Sequence, residues 1–365
     1  MADAVRIESE AEAADLIRGA TAPLRIVGGG TRFIGDSAGT PLETSGMAGI
    51  VLHDPGALTL VSRAGTPLAE IEAALAAERQ MLAFEPPDYG GLLGRSGSST
   101  IGGVVAANAS GPRRLAGGAA RDSLIGVRFV DGTGMVVKNG GRVMKNVTGL
   151  DLARLMAGAR GTLGLLTEVA FRVLPLPEQM ATLILPVTDP AKAVAAMAAA
   201  MGSPFDVTGA AWMGGEVLLR IEGFAASVDY RAKALVQRLG LAGEVEQGAA
   251  RWASVRDGAT FQDKQGDVWR LSVKPSDAPA LIAKAGAEAV VLDWAGGLIW
   301  LLVEPGHDLR ARIGPFGGHA TRIRGDIGPI PTFHPEPAPV AHLTAGLKAQ
   351  FDPKGLLNPG LLGQS

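Results

Sequence analysis

Ser98-Ser99-Thr100-Ile101-Gly102-Gly103-Val104-Val105-Ala106-Ala107-Asn108-Ala109-Ser110-Gly111 decides the reading of this chain. Every residue in it is small, β-branched or Asn, and none is charged. Such a run makes a poor ordinary core. It suits backbone that must come within van der Waals distance of another body, because Gly and Ala carry little side chain to obstruct the approach. Thr100, Asn108 and Ser110 add hydrogen-bonding groups. The stretch reads either as a tight bend between packed strands or as a cradle for a large, flat, partly anionic ligand.

A second glycine-rich stretch favours the cradle. Leu24-Arg25-Ile26-Val27-Gly28-Gly29-Gly30-Thr31 is an apolar strand running into three glycines. Free backbone N–H groups after a strand form an anion nest suited to a pyrophosphate. The dinucleotide fingerprint would need a third glycine at 33, where Phe33 stands. Gly30 and Gly35 have the P-loop separation, but Asp36 occupies the lysine position. A carboxylate there repels phosphate oxygens, which excludes the ATP reading. Further stretches follow: Val147-Thr148-Gly149-Leu150-Asp151, then Gly161-Thr162-Leu163-Gly164-Leu165, and near the end Phe351-Asp352-Pro353-Lys354-Gly355-Leu356-Leu357-Asn358-Pro359-Gly360.

Together, and in this order, these stretches resemble the FAD-binding domain of the vanillyl-alcohol-oxidase (PCMH) type. The resemblance implies an α+β chain: a PCMH-type FAD-binding domain of two α+β subdomains, followed by a second α+β domain. It also implies the cofactor contacts. Val27, Gly28, Gly29, Gly30, Thr31 and Gly35 would form the first loop, with Pro87 nearby. Thr100, Ile101, Gly102, Gly103, Asn108, Ser110 and Gly111 would form the cradle. Gly161, Gly164 and Leu165 would lie beside them, and Asn358 would reach back toward the isoalloxazine. Relatives that attach flavin covalently through the first loop use a histidine after the glycines. Thr31 stands there, so FAD is expected to bind without a covalent link.

Other stretches are similar to those of the FAD-binding subunits of bacterial glycolate oxidases. They include Gly65-Thr66-Pro67-Leu68, Glu85-Pro86-Pro87, Ser110-Gly111-Pro112-Arg113-Arg114 and Val143-Met144-Lys145-Asn146-Val147 in the first half. In the second they are Trp269-Arg270-Leu271-Ser272, Pro275-Ser276-Asp277, Asp293-Trp294-Ala295-Gly296-Gly297 and Gly317-Gly318-His319-Ala320-Thr321-Arg322. This closer resemblance implies a larger related FAD subunit and an iron–sulfur subunit as partners, and glycolate as substrate. It also brings a difference. The larger subunit and related D-2-hydroxy acid dehydrogenases carry a histidine-rich metal site, whereas the five histidines here (His53, His307, His319, His334, His342) show no metal spacing. The sequence therefore predicts no metal, and no useful glycolate oxidation by this chain alone.

Composition sets the outer limits. At 365 residues the chain has room for two domains. It is 47% hydrophobic and 19% charged, which excludes a disordered chain. The net charge of −2, without a lysine or arginine run, argues against nucleic acid as a partner. With no cysteine there can be no disulfide, thiolate catalysis or cysteine-ligated iron–sulfur cluster on these residues, so redox chemistry must run through an organic cofactor. Neither a signal peptide nor a membrane-length apolar run is read, so a cytoplasmic protein is expected, with peripheral attachment through partners left open.

The chain divides at Pro175 and Pro177, giving 1–176 as the FAD-binding domain and 177–365 as a substrate or cap domain whose last part, 340–365, returns to the flavin. Asp131-Gly132-Thr133-Gly134 is a hairpin signal. Thr66 followed by Pro67 reads as a helix cap. After the division, strands and helices follow twice in the order β-α-β-β-α-β, the first set without a clear last strand. This pattern predicts a ferredoxin-like second domain.

Oxidation of a 2-hydroxy acid needs a cation for the carboxylate and a base for the hydroxyl. Arg270 or Arg322 can supply the first and His319 the second. If a strand starts at 319, His319 and Arg322 point to opposite faces. Three function classes stay open: a subunit of a glycolate-oxidising complex, a self-sufficient D-lactate-like dehydrogenase, and a flavin-holding structural subunit without turnover.

Overall fold

Leu24–Val27 is a strand, as predicted, and lies at the edge of a small parallel sheet. The structure, a computed structural model, describes residues 4–141, 149–326 and 328–363. Val143–Thr148, quoted above, lie outside them. Strands β1 (Val5–Arg6), β2 (Leu24–Val27) and β3 (Thr40–Glu43) pair in the order β1-β3-β2. The helix Glu10–Gly19 packs Ala13, Ala14 and Ile17 against them, and Ser9 Oγ caps it by accepting from Glu12 N at 3.2 Å. The C-terminal tail runs alongside β2: Leu24 N donates to Leu356 O at 2.8 Å and Asn358 N to Leu24 O at 2.9 Å.

A five-stranded antiparallel sheet forms the next layer. Its strands are β4 (Ile50–Asp54), β5 (Thr59–Arg63), β7 (Leu124–Val130), β8 (Val136–Gly140) and β9 (Leu165–Arg172), in the order β4-β5-β9-β7-β8. The short strands β6 (Gln80–Met81) and β10 (Leu174–Pro175) pair separately. The β7–β8 hairpin turns where Asp131 Oδ1 accepts from Thr133 N and Met135 N, with Gly134 at φ +81°. The helix Leu68–Ala77 buries Leu68, Ile71 and Leu75 in the core of this layer. Thr66 does not cap that helix through its hydroxyl, as predicted. Pro67 holds the cap position, and Thr66 Oγ1 instead accepts from Gly49 N at 2.9 Å and donates to Arg63 O at 2.7 Å.

The cradle contains a helix, Ile101–Ala106, which the glycine pair had hidden. One local and one long-range bond make up for the low helix propensity of glycine. Thr100 Oγ1 accepts from Gly103 N at 3.4 Å, and Gly102 N donates to Ala64 O at 2.7 Å.

The second half is one eight-stranded antiparallel sheet. Its strands are β11 (Gln179–Pro186), β12 (Val207–Met213), β13 (Glu216–Gly223), β14 (Glu244–Gln247), β15 (Asp267–Val273), β16 (Ala289–Asp293), β17 (Leu298–Val303) and β18 (Gly318–Arg324). They lie in the order β14-β11-β13-β12-β16-β17-β15-β18. Each group of four is a ferredoxin-like unit, and the two join edge to edge where Trp212 pairs with Leu292. The missing last strand of the first unit is β14, too short and too rich in Glu to show in the sequence. One face carries the helices Pro190–Met201, Ala225–Leu239, Ala278–Ala285 and Leu309–Ile313, packed on Leu219, Trp269, Leu271 and Leu301. Because side chains alternate along a strand, Val268, Trp300, Leu302 and Ile323 point the other way, into a core shared with Ile34 and Leu92 of the first half.

A buried ion-pair network crosses the same boundary. Arg113 Nη1 meets Glu222 Oε2 at 2.5 Å, and Arg220 meets Glu85 at 2.7 and 2.9 Å. Glu85 Oε2 also accepts from Arg113 N at 2.7 Å. Glu85 sits at φ +45°, so strained backbone in the Glu85-Pro86-Pro87 stretch holds its carboxylate at the centre of the network.

Candidate functional site

The loop after β2, the helix Ile101–Ala106 and the turn Arg160–Gly164 line an open cleft. Of the predicted cofactor residues, Val27, Gly28, Gly29, Gly30, Thr31, Thr100, Gly102, Gly103, Gly161 and Gly164 line it. The glycines do different work. A Cβ on Gly29 would stand 1.5 Å from Ser98 O, and one on Gly28 would stand 2.5 Å from Thr100 Oγ1. These two let the loop interlock with the 97–100 segment. Gly30, at φ +74°, has nothing within 4 Å of such a Cβ, and Gly103 has only Thr100 Oγ1 at 3.3 Å. These two leave the cleft open.

The other predicted residues stand behind or beside the wall. Ile101 and Leu165 are fully buried in the core. Gly35 faces a neighbouring cavity, next to Leu361 and Phe333. Pro87 O accepts from Arg32 Nη1 at 2.7 Å. Asn108 Oδ1 accepts from Arg121 N, Ser110 Oγ accepts from Ala120 N, and Gly111 O accepts from Trp294 Nε1. Asn358 uses both ends of its amide on the protein: Oδ1 accepts from Ile26 N and Nδ2 donates to Arg160 O, each at 2.7 Å. It pins β2 to the Arg160 turn rather than projecting freely.

Beside the cleft, guanidinium and aromatic groups alternate. Arg32 lies over the Tyr89 ring at 5.9 Å, Tyr89 meets Trp300 edge-on at 5.7 Å, and Arg270 lies 5.9 Å from Trp300. Arg270 also stacks on Trp294 at 5.0 Å, and Arg114 stacks on that ring at 4.5 Å. Trp294 and Ala295 both have positive φ, +52° and +55°, which is strain held at a crowded point. The neighbouring Asp293 is buried, and burial pushes its carboxyl up to about 7 against the opposing bond from Trp294 N.

The three catalytic candidates separate. Arg270 and His319 lie on the face of β15 and β18 that looks toward the first half, in register with Thr321 and Ser272. Arg270 Nε is buried without a hydrogen-bond partner. His319 keeps solvent contact, but partial burial, then Arg270, His334 and Arg114, pull its imidazole below the usual range, so it is neutral at neutral pH. Arg322 is on the opposite face. It pairs with Asp267 at 3.6 Å and donates to Ile330 O at 3.1 Å, so it is occupied within the protein. Sequence reasoning missed Arg32, Tyr89, Arg114 and Arg160. Two of these were within reach: Arg32 directly follows Thr31, and Arg160 directly precedes Gly161.

The residues fit FAD. Open glycine faces, a run of backbone N–H groups and a buried Arg32 Nε without a partner suit a ligand that is flat at one end and anionic at its centre. Among the described residues no three His, Asp or Glu side chains come together as a metal site, and no helix is long and apolar enough to cross a membrane.

Comparison with known proteins agrees. The family described as "FAD binding domain" matches residues 2–140. A solved structure of alkyldihydroxyacetonephosphate synthase superposes with a TM-score of 0.72 at 17% identity, covering 97% of this chain and 76% of that one, which shows the fold. Glycolate oxidase subunit GlcD of Bacillus subtilis is 41% identical over 101 residues, 28% of this chain and 21% of that protein. A D-lactate dehydrogenase of Anaerostipes hadrus is 35% identical over 161 residues, 44% of this chain and 32% of that protein. Glycolate oxidase subunit GlcE of Escherichia coli is 38% identical over 343 residues, which is 93% of this chain and 92% of that protein. The chain is an FAD-binding flavoprotein of the FAD-linked oxidoreductases, and it belongs to the family of glycolate oxidase subunit GlcE.

Proposed function

We propose that this chain is the FAD-bearing subunit of a complex that oxidises glycolate to glyoxylate. The observation that carries this reading is the position of Arg270: a half-buried arginine whose Nε is buried and unpartnered, beside a glycine-walled cleft and on the same sheet face as His319. FAD, when bound, accepts the hydride equivalent removed from the hydroxyl-bearing carbon. Arg270 binds and orients the substrate carboxylate through its planar fork. His319, neutral at working pH, takes the hydroxyl proton at a ring nitrogen. Arg322 is a positioning residue that holds β18 through Asp267. In this reading residues 1–176 hold the cofactor, residues 177–365 present the substrate side, and 340–365 return to the cofactor half.

The partners in this reading are a larger related FAD subunit and an iron–sulfur subunit. The stretch shared with the D-lactate dehydrogenase supports a second reading, a self-sufficient 2-hydroxy acid dehydrogenase. The third, a flavin-holding subunit without turnover, is tested by the same experiment. The chain is purified alone and also co-expressed with the two partners, then assayed with glycolate, D-lactate and a dye acceptor. We expect glycolate turnover in the complex only, and a loss of about 10²-fold or more in His319→Ala with FAD content and assembly intact. Full activity of the isolated chain would overturn the complex. An unaffected His319→Ala would leave this chain's flavin outside the chemistry.

A further inference from the structure

Arg160 lines the cleft next to Gly161 and is fixed from both sides. Its N donates to Ala106 O at 2.8 Å, its O accepts from Asn358 Nδ2 at 2.7 Å, and its φ is +51°. A non-glycine residue in that region is strained, so the clamp is what keeps Arg160 in place. The clamp also aims the side chain. Its guanidinium lies 4.7 Å over the Phe333 ring, a contact that leaves the edge N–H donors unused.

None of those donors forms an ion pair or a side-chain hydrogen bond with a described residue. The nearest charges make matters worse. Burial, then Arg270 and also Arg32, oppose the cation and bring its pKa down to about 10, with only Tyr89 acting the other way. Arginine still keeps its proton at physiological pH. A half-buried cation repelled by two others gains from an anion supplied from outside the protein.

The geometry points to Arg160 as an oxyanion-binding residue of the cleft, which takes a phosphate or carboxylate oxygen of the bound ligand in addition to the carboxylate assigned to Arg270. The inference rests on the cleft being the flavin cleft, and it does not need glycolate to be the substrate. Two sources share this chemistry: the pyrophosphate of FAD, and an acid group of a small ligand bound beside it.

Two titrations of the full chain separate the sources. In the first, flavin-stripped protein is titrated with FAD and followed by flavin fluorescence. In the second, the FAD-loaded protein is titrated with oxalate and followed by the visible absorbance of the flavin. Arg160→Met should weaken one of the two by about 10- to 100-fold, the effect of losing a charged hydrogen bond. Arg160→Lys, which keeps the charge but loses the fork, should recover part of it. A loss in the first titration assigns a phosphate oxygen, and a loss in the second assigns a carboxylate. Arg160→Gln serves if the Met variant does not fold by circular dichroism. Both titrations within twofold of wild type, in a folded variant, overturn the inference. Glycolate turnover by the complex is a separate readout, so the substrate reading can fail while this one stands.

Discussion

Gly103 and Gly29 both line the cleft, yet a side chain at each would meet different neighbours. Gly103 has a helical backbone, and a Cβ there approaches only Thr100 Oγ1, at 3.3 Å. Gly103→Val should therefore keep stability within about 1 kcal/mol while abolishing FAD binding, because the two methyl groups occupy cleft space. Normal FAD affinity in that variant would place the cofactor elsewhere. Gly29→Ala puts a carbon 1.5 Å from Ser98 O and should cost about 3 kcal/mol or more by overpacking, read as loss of soluble protein or a large drop in melting temperature. The sequence marked both as cradle glycines. It could not say which faces ligand and which faces backbone, since that depends on a segment nearly 70 residues away. Asp293 adds a pH effect. Its folded carboxyl titrates near 7, far above the value of an unfolded Asp, so the folded state binds the extra proton. That contribution to stability is complete below about pH 4 and is lost as pH rises through 7. Asp293→Asn keeps an acceptor for Trp294 N and should flatten this part of the stability–pH curve. An unchanged slope between pH 4 and 7 in thermal melts would contradict the assignment.

At the level of elements, the ferredoxin-like repeat was legible because strand and helix periodicities alternate cleanly over 179–324. Asp189 and Pro190 open a helix as read, with Asp189 Oδ1 accepting from Lys192 N at 2.8 Å. What stayed hidden depends on tertiary contacts. The helix Ile101–Ala106 is set by Ala64 and Thr100 rather than by propensity, and β14 exists because β11 offers it a free edge. The Arg113–Glu222 and Arg220–Glu85 pairs could not be read at all, because they join residues more than 100 positions apart. They carry a prediction. Arg113→Met leaves a buried Glu222 without its bidentate partner and should cost about 3–5 kcal/mol in denaturant unfolding. Removing Glu222 as well, with Glu222→Met, should recover part of that loss in a double-mutant cycle. Strict additivity would mean that the pair is not coupled.

On the scale of the whole molecule, the first half supplies a glycine-walled cleft, and the second supplies a sheet face bearing Arg270, Trp294 and Trp300 beside it. Arg32, Tyr89 and Arg114 from the first half interleave with those three, so the candidate site belongs to neither half alone. The glycine-rich stretches that wall the cleft were legible in the sequence as a set, though no single glycine spacing marked them. The cationic ring was not, because its members come from four separate stretches. We expect this chain to hold FAD in that cleft without a covalent bond. The most direct measurement is to purify the chain, record its visible spectrum and precipitate it with acid. We expect a flavin spectrum, about one FAD per chain, with the yellow colour released to the supernatant. A colourless protein that takes up no added FAD, or colour that stays in the pellet, would contradict it.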